Sequence, residues 1–301
     1  MLNRKNKLLL LKVLSLFSVV RGYNILVIAL AQYLASIYIL APSLPVRNVV
    51  LDVNLFLLVL VSTLVIASGY IINNFYDAEK DLINKPTKSM LDRLVSQRFK
   101  LSAYFILNFI AVFSASYVSI RAVVYFSAYI FGIWFYSHKL KKIPFLGNFV
   151  SSILAITPFF VVFVYYRNFE TVIFVHALFL FLLILAREMI KDLENIPGDV
   201  AQNYRTIPII YGPLVSKIGI GILILLTLIP SLLLIFTFEI GYMDYYFAFC
   251  VLLLLAFLAL LLKATTKRQY VWLHNILKLI IVSGVFGILL IDVDLVLNRI
   301  L

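Results

Sequence analysis

Charge is scarce in this sequence: only 13% of its 301 residues are charged, three are histidine and one is cysteine. A soluble domain carries about 25% charged residues, so the polar coat that would keep a chain of this size in water is missing. The single thiol, Cys250, excludes an intrachain disulfide framework and a cysteine-built metal site. It lies in an apolar run and reads as a small buried or lipid-facing residue. What fills the space left by charge is apolar: 63% of the residues are hydrophobic. One soluble core of this length cannot hide so much apolar surface, so lipid is its solvent.

The formal net charge is +12, from 26 Lys and Arg against 14 Asp and Glu. Nucleic acid is excluded as the partner, because the basic residues sit in short connections between apolar runs and form no soluble basic face. Runs near the roughly 20 residues that cross a bilayer fall at 13–40, 54–77, 101–119, 122–137, 148–166, 171–189, 214–237, 245–262 and 276–293. They predict an all-α polytopic bundle of about nine spans around a central cavity, forming one domain over 1–301. The basic start followed by a long apolar run reads as a retained first span, because no short apolar region with a cleavage site interrupts it.

Numbering the connections alternately places nineteen basic residues on the side of the N-terminus and four, Arg47, Arg121, Arg167 and Arg299, on the other. By the positive-inside bias the N-terminus is cytoplasmic and the C-terminus outside. The basic segment 1–12 and the two longest connections, 78–100 and 190–213, then face the cytoplasm. Long connections tend to carry function, so the active site is expected at the cytoplasmic face.

The acids are clustered. Asn73, Asp77 and Asp81 are spaced by four where the second span ends, and on a helix they share one face. Glu188, Asp192 and Asn195 share a face where the sixth span ends, and Asp199 would join them if the helix did not break at Pro197-Gly198. Two oxygen-rich sets without His or Cys suit Mg²⁺, which takes one or two carboxylates and completes its shell with phosphate oxygens. Ionisable residues at membrane depth are costly and mark function. Lys85 and Lys88 follow the first set, and Arg187, Lys191 and Arg205 flank the second. Arg21 lies within the first span with Asn24 on the same face, and an intramembrane arginine needs an anion. These cations are suited to a diphosphate.

At these residues the chain resembles the UbiA superfamily of intramembrane prenyltransferases. Asn73, Asp77 and Asp81 match its first signature and are followed by Asn84-Lys85-Pro86. Tyr136-Ser137-His138-Lys139-Leu140-Lys141 and Gly147-Asn148 match an element after the fourth span. Arg187-Glu188 through Gly198-Asp199 matches the second signature, and Arg205-Thr206-Ile207-Pro208-Ile209 the segment beyond it. Asn74, Glu188 and Asn195 depart from aspartate. The second signature is most similar to the digeranylgeranylglyceryl phosphate synthase branch.

The resemblance implies a Mg²⁺-dependent transfer of a prenyl group, such as geranylgeranyl, from its diphosphate to a hydrophobic acceptor in the bilayer, with no obligate protein partner. Asn73, Asp77, Asp81, Asp192 and Asp199 are the implied metal ligands. Arg21, Asn24, Lys85, Ser137, Lys141, Arg187 and Arg205 are the implied diphosphate contacts, and Asp77, Asp192 and Tyr136 the implied catalytic residues. Tyr125, Phe126, Tyr129, Phe131, Trp134 and Phe135 on the fourth span are either a shield for an allylic cation or ordinary packing. The competing readings are an aromatic prenyltransferase and a cation-coupled transporter.

Overall fold

The computed structural model describes residues 4–293, so Arg299, counted above on the outer side, lies outside the described residues. The chain opens with α1 (Arg4–Val19) and α2 (Gly22–Ala35), which continues as a π-helical turn to Leu40. Next come α3 (Val46–Val50), α4 (Val53–Tyr76), α5 (Ala78–Asn84), α6 (Pro86–Asp92), α7 (Gln97–Val118) and α8 (Ile120–His138). After a 3₁₀ turn over Leu140–Lys142 follow α9 (Leu146–Tyr166), α10 (Thr171–Ala201), α11 (Ile207–Ile210), α12 (Gly212–Phe236), α13 (Met243–Lys263) and α14 (Lys267–Gly287). Nine helices among the described residues are long and apolar enough to cross a membrane, as the hydropathy predicts.

Three boundaries differ from expectation. The first apolar run is not one helix, because Arg21 takes a left-handed backbone, φ 50°, between α1 and α2. Arg21 therefore stands at a helix break and not inside a span, which exposes it to the polar end of the bundle. The sixth span does not stop at Pro197: α10 runs 31 residues to Ala201, so the first half of the expected loop 190–213 is helix. The ninth span begins at Lys267, where Thr266 and Gln269 form a reciprocal capping box. Its polar first turns lower the local hydropathy and hide that start from a window scan.

The connection 78–100 is also mostly helical. Backbone bonds Asp77 N–H to Asn73 (2.9 Å), Asp81 N–H to Asp77 (2.8 Å) and Lys85 N–H to Asp81 (2.7 Å) carry the four-residue repeat across the junction of α4 and α5. Ser119 alone separates α7 from α8, and its hydroxyl caps α8 by accepting from Ala122 N–H at 3.1 Å.

Two large apolar cores and a small one around Val19, Ile71, Ile72 and Tyr104 build the bundle. One large core joins α10, α12, α13 and α14 around Leu183, Ile190, Ile220, Phe247 and Leu277; the other joins α2, α4, α7, α8 and α9 around Leu55, Val61, Val65 and Phe126. Small residues let α4 and α7 approach closely: Ala111 and Ala115 are fully buried and one turn apart, the pattern that packs helices when lipid removes the hydrophobic driving force. Large side chains such as Phe236, Leu262 and Ile120 point outward, as a lipid-facing surface requires.

Pro158 sits inside α9 and has no N–H for the carbonyl of Leu154. The Tyr129 hydroxyl of α8 donates to that carbonyl at 2.9 Å, and Tyr125 donates to the carbonyl of Thr157 at 2.6 Å. These two tyrosines, with buried Phe126 between them, are packing and kink-satisfying residues, and Phe131 faces outward. Tyr129→Phe is expected to cost roughly 1–3 kcal/mol, the penalty of a buried carbonyl left without a donor. Thermal unfolding in detergent measures it, with Tyr125→Phe as the parallel case.

Candidate active site

The end of α4 with α5, the turn after α8, and the end of α10 with the segment behind it meet at one end of the bundle. Lys141, in the 3₁₀ turn, is buried and donates to Asp77 Oδ1 at 2.7 Å and to Asn73 Oδ1 at 3.2 Å. The Tyr204 hydroxyl donates to the same Asp77 oxygen at 3.0 Å. Tyr204 gets there because Asn203 takes a left-handed φ of 55° and turns the chain back beyond α10. Lys80 of α5 pairs with Asp199 of α10 at 2.7 Å, and its Nζ stands 4.4 Å above the Tyr204 ring. Asn148 of α9 donates to Asp192 Oδ2 at 2.8 Å. Carboxylates of the two signatures are thus interleaved with lysines in one charge-compensated chamber.

Burial alone would push the Asp77 carboxyl up, but Lys141 and Lys80 beside it outweigh that and hold it below the ordinary carboxylate value. Burial would likewise lower Lys80, yet Asp77 and Asp199 hold it above the usual lysine value. Each charge is fixed by its partner. Lys85 has the opposite balance: burial and the nearby Lys191 push it down.

Asp199 is fully buried, and its Oδ2 and the Oδ1 of Asn195 have no hydrogen-bond donor. Buried oxygens are seldom left bare, so these two are acceptors awaiting a partner. Among the described residues no three His, Cys, Asp or Glu side chains converge tightly enough to hold a metal unaided. Lys141 and Lys80 occupy the space between the acids.

A second recess opens beside this chamber, lined by Val19, Arg21, Tyr70, Asn73, Asn74, Asp81 and Lys88. The Arg21 guanidinium lies 5.0 Å from the Tyr70 ring centroid, and Asn24 donates to the Tyr70 hydroxyl at 3.2 Å. The Asn74 amide is taken up by a different acid: it donates to Asp92 Oδ2 at 3.0 Å and accepts from the buried Lys100 at 2.8 Å.

Glu188 is committed to Lys191 at 2.7 Å, Arg187 at 3.4 Å and Ser151 at 3.2 Å. Arg187 also reaches His274 Nε2 at 2.9 Å, and His274 Nδ1 meets Glu194 at 3.1 Å. An arginine can only donate, so Nε2 is the acceptor and the Nδ1 proton goes to Glu194. Arg187 therefore anchors α14 to α10. Tyr136 lies within electrostatic reach of Glu188, Asp77 and Asp192.

The sequence-predicted residues Asn73, Asp77, Asp192, Asp199, Lys141 and Tyr136 are gathered in the chamber, and Arg21, Asn24 and Asp81 at the recess beside it. Arg205 stands apart, exposed in a separate recess with Lys142 and Tyr211, and Arg187 is taken up by Glu188 and His274. Lys85 lies within electrostatic reach of Lys191, Glu194 and Asp81, and Ser137 is buried with its hydroxyl unpartnered. Lys80, Tyr204 and Asn148, which the structure places against the acids, are not among the residues the sequence predicts for the site. Lys80 lies inside the first signature between two acids, which was a usable signal; nothing marked Tyr204.

Among the described residues, nine helices of membrane-spanning length hold a buried, charge-compensated polar chamber at one end, an arrangement suited to an intramembrane enzyme. The chain belongs to the UbiA prenyltransferase family, whose model matches residues 25–279. It is 32% identical over 219 residues to digeranylgeranylglyceryl phosphate synthase of Thermococcus sibiricus, covering 71% of this chain and 75% of that one. The synthase of Saccharolobus solfataricus is 30% identical over 234 residues, covering 77% and 82%.

A solved structure from work on digeranylgeranylglyceryl phosphate synthase in membranes superposes with a TM-score of 0.68 at 24% identity, covering 92% of this chain and 97% of that one. A UbiA homolog from Archaeoglobus fulgidus, bound to GPP and Mg²⁺, superposes with a TM-score of 0.65 at 13% identity, covering 91% and 99%. The protein is a prenyltransferase, and the transporter reading falls.

Proposed function

We propose that the protein transfers a geranylgeranyl group from its diphosphate to geranylgeranylglyceryl phosphate, with Mg²⁺ as cofactor and the chamber facing the cytoplasm. The interleaving of Asp77 and Asp199 with Lys141 and Lys80 carries this reading. The relatives named for digeranylgeranylglyceryl phosphate synthase support the acceptor. The homolog bound to GPP and Mg²⁺ supports the cofactor. The lopsided distribution of basic residues supports the orientation.

The residues present fit a hard divalent cation. Asn73, Asp77, Asp81, Asp192 and Asp199 are oxygen donors, and the bare oxygens of Asp199 and Asn195 are the acceptors such an ion would satisfy. Bound there, Mg²⁺ supplies Lewis acidity that stabilises charge on the departing diphosphate.

The protein's own groups do the rest. Lys141 and Lys80, released from Asp77 and Asp199, donate to diphosphate oxygens, and Arg21 and Lys85 hold the anion from the recess side. The C1–O bond of the donor breaks with its electron pair on the diphosphate, and a lone pair of the acceptor hydroxyl forms the new bond to C1. The hydroxyl proton leaves to the diphosphate or to water. Tyr136 presents its ring to the allylic cation, and the apolar bundle takes the tail at no polar cost.

Transfer from radiolabelled geranylgeranyl diphosphate by purified protein, with products identified by mass spectrometry, tests the reading. Activity is expected with geranylgeranylglyceryl phosphate, lost on chelation and restored by Mg²⁺. Prenylation of an aromatic acid in its place would reassign the acceptor.

A further inference from the structure

Asn84 closes α5 and is buried at 4% exposure. Its side-chain amide binds the backbone of α10 with both of its ends. Nδ2 donates to the carbonyl of Asn195 at 3.2 Å, and Oδ1 accepts from Gly198 N–H at 3.0 Å. The backbone carbonyl of Asn84 accepts from Lys267 Nζ, at the start of α14, at 2.7 Å. One residue thus joins three elements.

The place on α10 is a weak point of that helix. Pro197 lies between the two backbone groups that Asn84 holds; it has no N–H for the carbonyl four residues back, and its ring crowds that turn. An unsupported helix would kink or end there, as the sequence led us to expect. Gly198 is the complement to the amide: a Cβ on it would stand 2.4 Å from Asn84 Nδ2 and 2.8 Å from Oδ1. Only glycine admits the contact.

The contact sits between the acids. Asp77 and Asp81 precede Asn84 on one side, while Asp192 and Asp199 flank the bound turn of α10 on the other. We propose that Asn84 is a positioning residue whose amide fixes the spacing of the two carboxylate sets, so that a single diphosphate can be gripped by both. The inference rests on the reading that both sets hold one donor. Reacting groups displaced by about 1 Å lose on the order of 10²-fold in rate, and carboxylates set too far apart cannot share one metal-bound diphosphate, so a staple at this point governs how both sets engage the donor.

Two measurements test it. Nitroxide labels at Glu79→Cys and Val200→Cys, both exposed positions, in a Cys250→Ser background report the separation of α5 and α10 by pulsed dipolar spectroscopy. A single narrow distance is expected in the parent and a broadened one in Asn84→Ala. In parallel, the Mg²⁺ concentration for half-maximal binding of geranylgeranyl diphosphate is expected to rise about tenfold in Asn84→Ala, while the acceptor KM moves less than twofold. A structural role alone would not divide the substrates in that way.

Gly198→Ala is expected to reproduce both effects, and the double variant to be no worse than either single one, because the two residues act as one contact. Asn84→Ser keeps a small uncharged hydrogen-bonding group that serves only one of the two backbone partners, and serves with an intermediate shift if Asn84→Ala does not fold. An unchanged distance, or a broadened distance with unchanged donor binding, overturns the positioning role. Wild-type protein that binds no donor with Mg²⁺ sinks the proposed function instead, and the distance measurement still decides whether the staple exists.

Discussion

Asp192→Asn is expected to abolish transfer while leaving a folded, monodisperse protein, and Asp77→Asn is expected to abolish transfer as well. The change keeps the shape and removes the charge. Asp192 accepts from Asn148 at 2.8 Å, and an amide at this place retains a carbonyl for that contact. What disappears is the carboxylate that the proposed function directs at the metal-bound diphosphate. Removing one preorganised electrostatic contact costs about 10²–10³ in kcat, and a carboxylate that shares a cation with substrate phosphates is expected to cost at least as much. Single-turnover assays with radiolabelled geranylgeranyl diphosphate read the loss directly. Turnover within tenfold of the parent in both variants would remove the carboxylates from the proposed mechanism.

Lys141→Met is expected to damage both stability and activity, and a second change separates the two. The pair with Asp77 is almost closed to solvent, with side-chain exposures of 5% and 10%. Breaking a buried pair by removing one partner costs roughly 3–5 kcal/mol, because the remaining charge is stranded. Asp77 keeps Tyr204 and the more distant Lys80, which puts the loss nearer the lower bound. Adding Asp77→Leu to Lys141→Met removes the stranded charge and is expected to recover much of the unfolding temperature, while transfer stays absent.

The sign of the pH effect follows from the same pair. Asp77 has its folded value below the ordinary one, so its stabilisation is complete at neutral pH and is lost as the pH falls through that lower value. Recovery of transfer in the double variant would show that the pair is structural only.

Much of the site was legible because its chemistry repeats at helical intervals. Asn73, Asp77 and Asp81 stay on one face since the backbone bonds from Asn73 to Lys85 continue the four-residue repeat through the junction. Lys141 was found through a motif and proved to lie on Asp77. The reading failed where a side chain from elsewhere rescues a local breaker. Pro197-Gly198 signals a helix end, yet α10 runs on to Ala201 with Asn84, 113 residues earlier than Pro197, bound to its backbone on both sides of the proline. Arg21 looked like an intramembrane charge because hydropathy averages over the left-handed turn that frees it. Tyr204 and Lys80 were missed because a tyrosine hydroxyl or a lysine gains its role only from the carboxylate it meets.

The amino-acid order by itself determined that this chain lives in lipid, crosses it about nine times, and carries two acid sets on connections that alternate to the same side. Those are properties of composition and of period along one helix, and they survive without neighbours. Tertiary structure decided which charges neutralise one another, where the helices break, and which tyrosines donate to backbone carbonyls and which to a carboxylate. Such outcomes depend on distances between segments remote in the chain, and Coulomb and hydrogen-bond energies act over a few ångströms that the sequence does not encode locally.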